Sequence, residues 1–213
     1  MSGDSKPVDG PVSRILNRRV ASLIVDLIIK LNLPLTPNQM SFAAFLTALS
    51  ASALIAFGWL KLGAVLIQTS SILDGVDGIL ARRRGIASKA GGFLDTMLDR
   101  YADVIIYGSM GFHLASKGVD PTLVALAVVS ALSGDLLVSY LHSRGEKDLG
   151  IHPALVGPLD SVGSRDVRLF ILALLTLVGR PLEALVVVAA LSHSYVAVKS
   201  SSIYRLLSSE RTA

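Results

Sequence analysis

Four aspartates stand in the stretch "DGVDGILARRRGIASKAGGFLDTMLD", residues 74 to 99, of a chain that is otherwise apolar. Asp74, Asp77 and Gly78 are spaced i, i+3 and i+4, and Ala81 and Arg82 continue that face by one further turn. Gly91, Asp95 and Asp99 are spaced i, i+4 and i+8, and Asp103 adds another turn. Two antiparallel helices joined by the basic loop "RRRGIASKAGG" would therefore bring four carboxylates together. Carboxylates near hydrocarbon are costly, about 2.5–3.5 kcal/mol each at a helix centre. A divalent cation, or two, relieves that cost, and hard oxygen ligands without Cys or His suit Mg²⁺ or Mn²⁺. Gly78 and Gly91, lacking Cβ, leave room for a ligand to approach each helix closely. The plainer alternative pairs these acids with Arg82, Arg83, Arg84 and Arg100 at a membrane surface. Phasing of four acids and two glycines on two successive helix faces favours a site. An ion pathway, the mark of a cation carrier, would also use intramembrane acids, but it leaves Gly78, Arg82 and Gly91 without a role.

The elements that must position these residues are membrane helices. Of 213 residues, 52% are hydrophobic and 17% charged, against about a quarter charged in soluble domains. The mean hydropathy is +0.61. Six stretches approach the roughly 20 apolar residues that cross a bilayer, near 38–58, 60–82, 91–115, 121–142, 166–180 and 182–200. The expected fold is all-α: a polytopic membrane protein of six transmembrane helices with an N-terminal amphipathic interfacial helix. No compact apolar segment with a cleavage site occupies the first thirty residues, so no cleavable signal is expected. With the N-terminus inside, only Lys61, Lys117 and Arg180 fall on the outer side, which places both termini and the acids on the cytoplasmic face of the cell membrane. Cysteine is absent, which excludes disulfides, thiolate metal sites and a cysteine nucleophile. The net charge of +4 follows the inner membrane edge and forms no groove with interleaved aromatics, so nucleic acid is not an expected partner.

Residues 1–10 are polar and rich in turn formers and read as a flexible tail. Residues 11–33 carry Ile15, Leu16, Val20, Leu23, Ile24, Leu27, Ile28 and Leu31 at helical spacing with Arg14, Arg18 and Lys30 largely opposite. That pattern predicts a helix lying on anionic headgroups or packed on the protein's own cytoplasmic face. "PLTPNQ" breaks it and opens the first span at Pro37 and Asn38. Residues 34–205 form the six-helix domain, and 206–213 a cytoplasmic tail.

The stretch that carries the acids resembles the signature of the CDP-alcohol phosphotransferase family at Asp74, Asp77, Gly78, Ala81, Arg82, Gly91, Asp95 and Asp99, with every spacing intact. The resemblance implies transfer of a substituted phosphoryl group from a CDP-linked alcohol to an acceptor hydroxyl, with release of CMP. It implies that Asp74, Asp77, Asp95 and Asp99 hold two divalent cations, that Asp99 is also the catalytic base, and that the enzyme is a homodimer. Asp74, Gly78, Arg82 and Gly91 are the expected nucleotide contacts, Arg82 as a phosphate clamp.

In "SRDVRLF", Arg165 and Arg168 stand at i and i+3 where the fifth span begins, and such a pair suits the phosphate of a phosphorylated polyol acceptor. Ordinary positive-inside anchoring is the alternative. "SRILNRRV", "LTPNQMS", "SSILDGVDG", "LDTMLDRYAD" and "SRDVRLF" are similar to the synthase type that joins CDP-inositol to inositol 1-phosphate, giving di-inositol phosphate phosphate. The alternative is a phospholipid synthase that uses a CDP-linked lipid with inositol phosphate or glycerol phosphate. "SYLHSRGE" carries His142 where many lipid-making relatives have Arg. His142, His152 and His193 read as ordinary polar residues, and Asp103 and Asp135 as interhelical polar partners.

Overall fold

The structure, a computed structural model, describes residues 8–209. It is all-helical, with seven α-helices and no strand among the described residues. They are α1 (Arg18–Lys30), α2 (Pro37–Ala56), α3 (Leu60–Arg83), α4 (Lys89–Ser116), α5 (Pro121–Leu149), α6 (Arg165–Leu177) and α7 (Pro181–Ser209). A π-helical turn, Ser13–Asn17, leads into α1, and a 3₁₀ turn, Pro153–Leu155, follows α5.

Local signals start and stop the helices. At the head of α2, Thr36 Oγ1 accepts from the Gln39 amide while the Gln39 side chain accepts from Thr36 N–H, and Pro37 occupies the first turn. Ser88 accepts from the Gly91 amide to open α4, and Asp120 accepts from Leu123 to open α5. Between α3 and α4 the chain reverses through Gly85 at φ +68°, a backbone conformation that costs a side-chain-bearing residue about 1 kcal/mol or more. That turn is what sets the two acidic segments side by side.

The core runs along Ala48, Ala51, Ile55, Ile67, Ile106, Met110, Leu172 and Leu185. α2 packs along α3 and α4, α5 along α7, and α6 closes against α3 and α7. Large apolar side chains such as Leu46, Phe112, Leu126, Val129 and Val186 remain exposed around the bundle. Four helices, α2, α3, α5 and α7, are long and apolar enough to cross a membrane. The other two differ for physical reasons. α4 carries Asp95, Asp99, Arg100 and Asp103 within three turns, and α6, with 13 residues, is about 20 Å long. α5 and α7 continue to Leu149 and Ser209, beyond residues 142 and 200 where their apolar stretches end, because "SRGEKDL" and "SIYRLLSS" still form helix.

α1 buries Ala21, Val25 and Ile28 against Val76, Ile79 and Leu80 of α3 and Met40 of α2. Arg83 pairs with Asp26 and donates to Ser22, and Asn17 bridges Ser71 and Gln68, which fixes α1 across the end of α3. Its opposite side leaves Ile15, Leu23, Leu27 and Leu31 exposed. Of the stretch read as a tail, residues 1–7 lie outside the described residues, as do 210–213 at the other end. Val8 accepts from the Ser161 hydroxyl, and Asp9 binds Arg18 through both carboxylate oxygens.

Candidate active site

Asp74 and Asp77 lie three residues apart toward the end of α3, and Asp95 and Asp99 four apart at the start of α4. One carboxylate oxygen each of Asp74, Asp95 and Asp99 falls within 4.8 Å of the others. Asp77 sits within hydrogen-bonding reach of Asp95, and it accepts from the Ser41 hydroxyl and the Gly78 amide. The helix pair thus converges all four acids.

The acids form a wall between two cavities. On one side is a space of about 560 Å³ into which Asp77 and Asp95 face, together with Gly78, Arg82, Gly91 and Asn38. A methyl built on Gly78 would stand 3.3 Å from one Arg82 nitrogen and meet nothing else, and one on Gly91 would meet Ser88 Oγ at 3.2 Å and Asn38 Oδ1 at 3.5 Å. Both helices therefore offer bare backbone to this space. On the other side is a cavity of about 360 Å³ that contains Asp74 and Asp99, Arg100, Arg165 and Arg168, and the polar face of α5.

The arginines are tied to acids. Arg165 pairs with Asp99 at 2.8 Å, contacts Asp74 at 3.5 Å, and binds Asp103 through Nε at 3.0 Å. Arg168 is buried; it pairs with Asp135 and donates to the Gly163 carbonyl. Arg100 spans Asp103 at 3.1 Å and Asp135 at 2.9 Å, and Tyr107 also donates to Asp135. Asp103 and Asp135 thus serve as interhelical partners that hold three guanidiniums at the edge of the second cavity. Removing one member of such a buried pair costs about 3–5 kcal/mol, so the network fixes positions as well as charge.

Two observations fit these residues to a divalent cation. The donor set is all oxygen, which suits a hard ion. Asp74 Oδ1 is buried with no hydrogen-bond partner, its Arg165 contact being too long to satisfy it, so an acceptor oxygen already faces the cluster.

The structure brings together Asp74, Asp77, Asp95 and Asp99 with Gly78, Arg82 and Gly91, and sets Arg165 and Arg168 on the far side of the acid wall. Sequence reasoning passed over Ser41, Asn38 and Arg100 as site residues. Asn38 and Ser41 are spaced i, i+3 at the head of α2, a signal that shows only once α2 is known to flank the acids. Arg100 is adjacent to Asp99 and had been weighed only as a surface partner; its Nε is buried without a hydrogen-bond acceptor.

A sequence model described as CDP-alcohol phosphatidyltransferase matches residues 34–198. A protein described as a bifunctional IPC transferase and DIPP synthase from Rubrobacter xylanophilus is 40% identical over 186 residues, covering 87% of this chain and 41% of that protein. This chain spans less than half the length of the bifunctional relatives it matches, including one from Thermococcus kodakarensis at 35% identity and 46% coverage. An archaetidylinositol phosphate synthase from Methanothermobacter thermautotrophicus is 35% identical over 75% of this chain and 78% of its own length. Among solved structures, Mycobacterium tuberculosis phosphatidylinositol phosphate synthase with CDP-DAG bound superposes with a TM-score of 0.72 at 21% identity, covering 87% of this chain and 94% of that one. The same enzyme with manganese and citrate gives 0.71 at 21% identity, covering 86% and 88%. These structural likenesses establish the fold.

Proposed function

The chain belongs to the CDP-alcohol phosphatidyltransferase family, and from that membership we propose that it moves a substituted phosphoryl group from a CDP-alcohol to the hydroxyl of a phosphorylated polyol, releasing CMP. The observation that carries this reading is the wall of four acids between two cavities. A two-substrate transfer needs a donor on one side of the reacting phosphorus and an acceptor on the other. The larger cavity, with bare backbone at Gly78 and Gly91 and a guanidinium at Arg82, suits the cytidine diphosphate part of the donor. The smaller, with Arg100, Arg165 and Arg168, suits the acceptor phosphate.

Asp74, Asp77, Asp95 and Asp99 would hold two divalent cations, Mg²⁺ or Mn²⁺, and the related structure with manganese is in keeping with this. Bound there, the ions would neutralise the diphosphate and stabilise charge on departing CMP. The chain's own groups do the rest. Arg82 orients a diphosphate oxygen, and Arg165, anchored by Asp103, holds the acceptor beside Asp99. The acceptor oxygen bonds to the phosphorus that carries the alcohol, the bridging bond to CMP breaks, and Asp99 takes the hydroxyl proton.

The best-supported pair is CDP-inositol with inositol 1-phosphate, giving di-inositol phosphate phosphate, because relatives at 40% and 35% identity carry DIPP synthase in their descriptions. A CDP-linked lipid donor is the second reading, favoured by the archaetidylinositol phosphate synthase, which this chain matches over most of its length. The proposed setting is a homodimer in the cell membrane, with six crossings by α2 to α7, α1 on the inner interface with Leu23 and Leu27 toward lipid, and both termini and the site cytoplasmic. The proposed domain is the six-helix unit 34–205 with the juxtamembrane helix 11–33 before it. Purified protein supplied with inositol 1-phosphate and either CDP-inositol or a CDP-lipid tests the proposal. CMP release with a water-soluble phosphodiester is expected; an organic-soluble product selects the lipid reading, and no CMP with either donor rejects both.

A further inference from the structure

We infer that His142 and His152 form a paired hydrogen-bonding clamp for two adjacent ring hydroxyls of a polyol in the second cavity. The inference rests on the proposed reading of that cavity as the acceptor site. Both imidazoles line it, and their ring centroids are 4.6 Å apart.

The hydrogen bonds around the two rings assign their protons. Tyr195 has a single hydroxyl proton, and it goes to the Asp160 carbonyl at 3.0 Å. His142 Nε2, 3.0 Å from the same oxygen, must then be the donor, so its proton is on Nε2 and Nδ1 is a bare acceptor. His152 has the opposite arrangement. Its Nδ1 accepts from the Ala154 amide at 3.1 Å, which puts the proton of the neutral ring on Nε2, a donor. Burial holds His152 below the ordinary histidine range, despite the opposing pull of Glu146, and so keeps that ring neutral. Among the described residues, neither His142 Nδ1 nor His152 Nε2 has a protein partner.

One neighbouring ring therefore presents an acceptor and the other a donor. A vicinal diol has the matching pattern, since one hydroxyl can donate while the next accepts. Ser139 and Ser143, on the same stretch of α5, and the Glu146 carboxylate line the same cavity and extend its polar surface. Arg18, Arg100, Arg165 and Arg168 line the same cavity and supply the positive charge that a phosphate on the polyol would require.

The test uses the full-length protein in detergent or nanodiscs, with inositol 1-phosphate and with cyclohexyl phosphate, which keeps ring and phosphate but lacks the hydroxyls. His142→Ala and His152→Ala are each expected to raise the KM for inositol 1-phosphate about tenfold, equivalent to about 1.4 kcal/mol, with the donor KM unchanged. His142→Asn, which can place an acceptor near Nδ1, and His152→Gln, which can place an N–H near Nε2, should restore most of the loss. By calorimetry, cyclohexyl phosphate should bind wild type and variants alike, and retained CMP binding shows that each variant is folded. Equal weakening of the two phosphates, or an unchanged KM in both alanine variants, overturns the clamp. Absence of CMP release by the wild type would reject the proposed reaction, and the comparison of the two ligands by binding alone would still decide the clamp.

Discussion

Replacing Gly78 by alanine should make the protein more stable and less active. Gly78 lies inside α3, where alanine is preferred over glycine by about 1 kcal/mol, so the substitution should raise stability. The fold gives no opposing penalty: the new methyl meets only one Arg82 nitrogen, at 3.3 Å, the far end of a flexible side chain. For a protein of this size, about 1 kcal/mol corresponds to a rise of about 2–4 °C in Tm. The methyl instead enters the larger cavity, where the donor diphosphate is proposed to lie on the helix backbone. Overpacking a close contact costs about 1–3 kcal/mol, so the donor KM should rise between about fivefold and about a hundredfold. Gly108→Ala is the control, since it makes the same change within α4 at an exposed position with nothing within 4 Å. CMP release against donor concentration, with thermal unfolding in the same detergent, reads both effects. If Gly78→Ala raises the donor KM no more than Gly108→Ala does, the nucleotide does not approach α3 there and the assignment of the larger cavity is wrong.

Asp99→Asn should abolish CMP release while CMP binding and the unfolding temperature stay close to wild type; turnover at the normal rate would remove Asp99 from the chemistry. EDTA should stop CMP release and added Mg²⁺ or Mn²⁺ should restore it, whereas unimpaired turnover in chelator would exclude a divalent requirement. Arg168→Ala should raise the inositol phosphate KM far more than the donor KM, and equal effects would argue against a phosphate pocket beside α6. Asp135→Asn leaves Arg100 and Arg168 sharing a neutral partner and should destabilise the fold by up to about 3–5 kcal/mol; an unfolding midpoint unchanged by this substitution would mean that the buried pairs do not hold the arginines.

Much of the site can be read from spacing because a helix converts spacing into direction. Asp74 and Asp77 at i, i+3, and Asp95 and Asp99 at i, i+4, share faces as soon as the segments are helical, and the caps at Ser88 and Gly85 follow from local chemistry. What periodicity does not carry is the choice among partners far apart in the chain. Arg165 reaches Asp103 of α4, and Arg168 reaches Asp135 of α5, only once α6 is packed against α3 and α7; an arginine at a helix start reads equally well as a surface anchor. Helix ends were misplaced for a related reason. Hydropathy measures the apolar stretch, whereas α5 keeps its backbone hydrogen bonds past residue 142 and so carries Glu146 into the second cavity. The contacts of His142 with Tyr195 of α7 and His152 of the following loop likewise join separate elements of the chain. For α1, packing on the protein is visible: one side packs on α3, and the other leaves Leu23 and Leu27 exposed.

The distribution of charge explains why acids and arginines coexist in a membrane protein without cancelling the site. Six carboxylates, Asp74, Asp77, Asp95, Asp99, Asp103 and Asp135, gather near three guanidiniums, Arg100, Arg165 and Arg168. Asp103 and Asp135 sit deepest, each about 1% exposed, and are bound by arginine on more than one side, so they hold the cations in place. Of the remaining four acids, Asp74 and Asp99 share one nitrogen of Arg165, and Asp77 receives a serine hydroxyl and a backbone amide. That group is short of positive charge where it faces the cavities, and divalent cations are an efficient remedy in so small a volume. The arginines, anchored by Asp103 and Asp135, line the second cavity. Arg165 itself links Asp103 to Asp99. An all-oxygen acid cluster, the proposed metal site, and a basic edge, the proposed phosphate site, thus lie side by side, with one guanidinium joining the two.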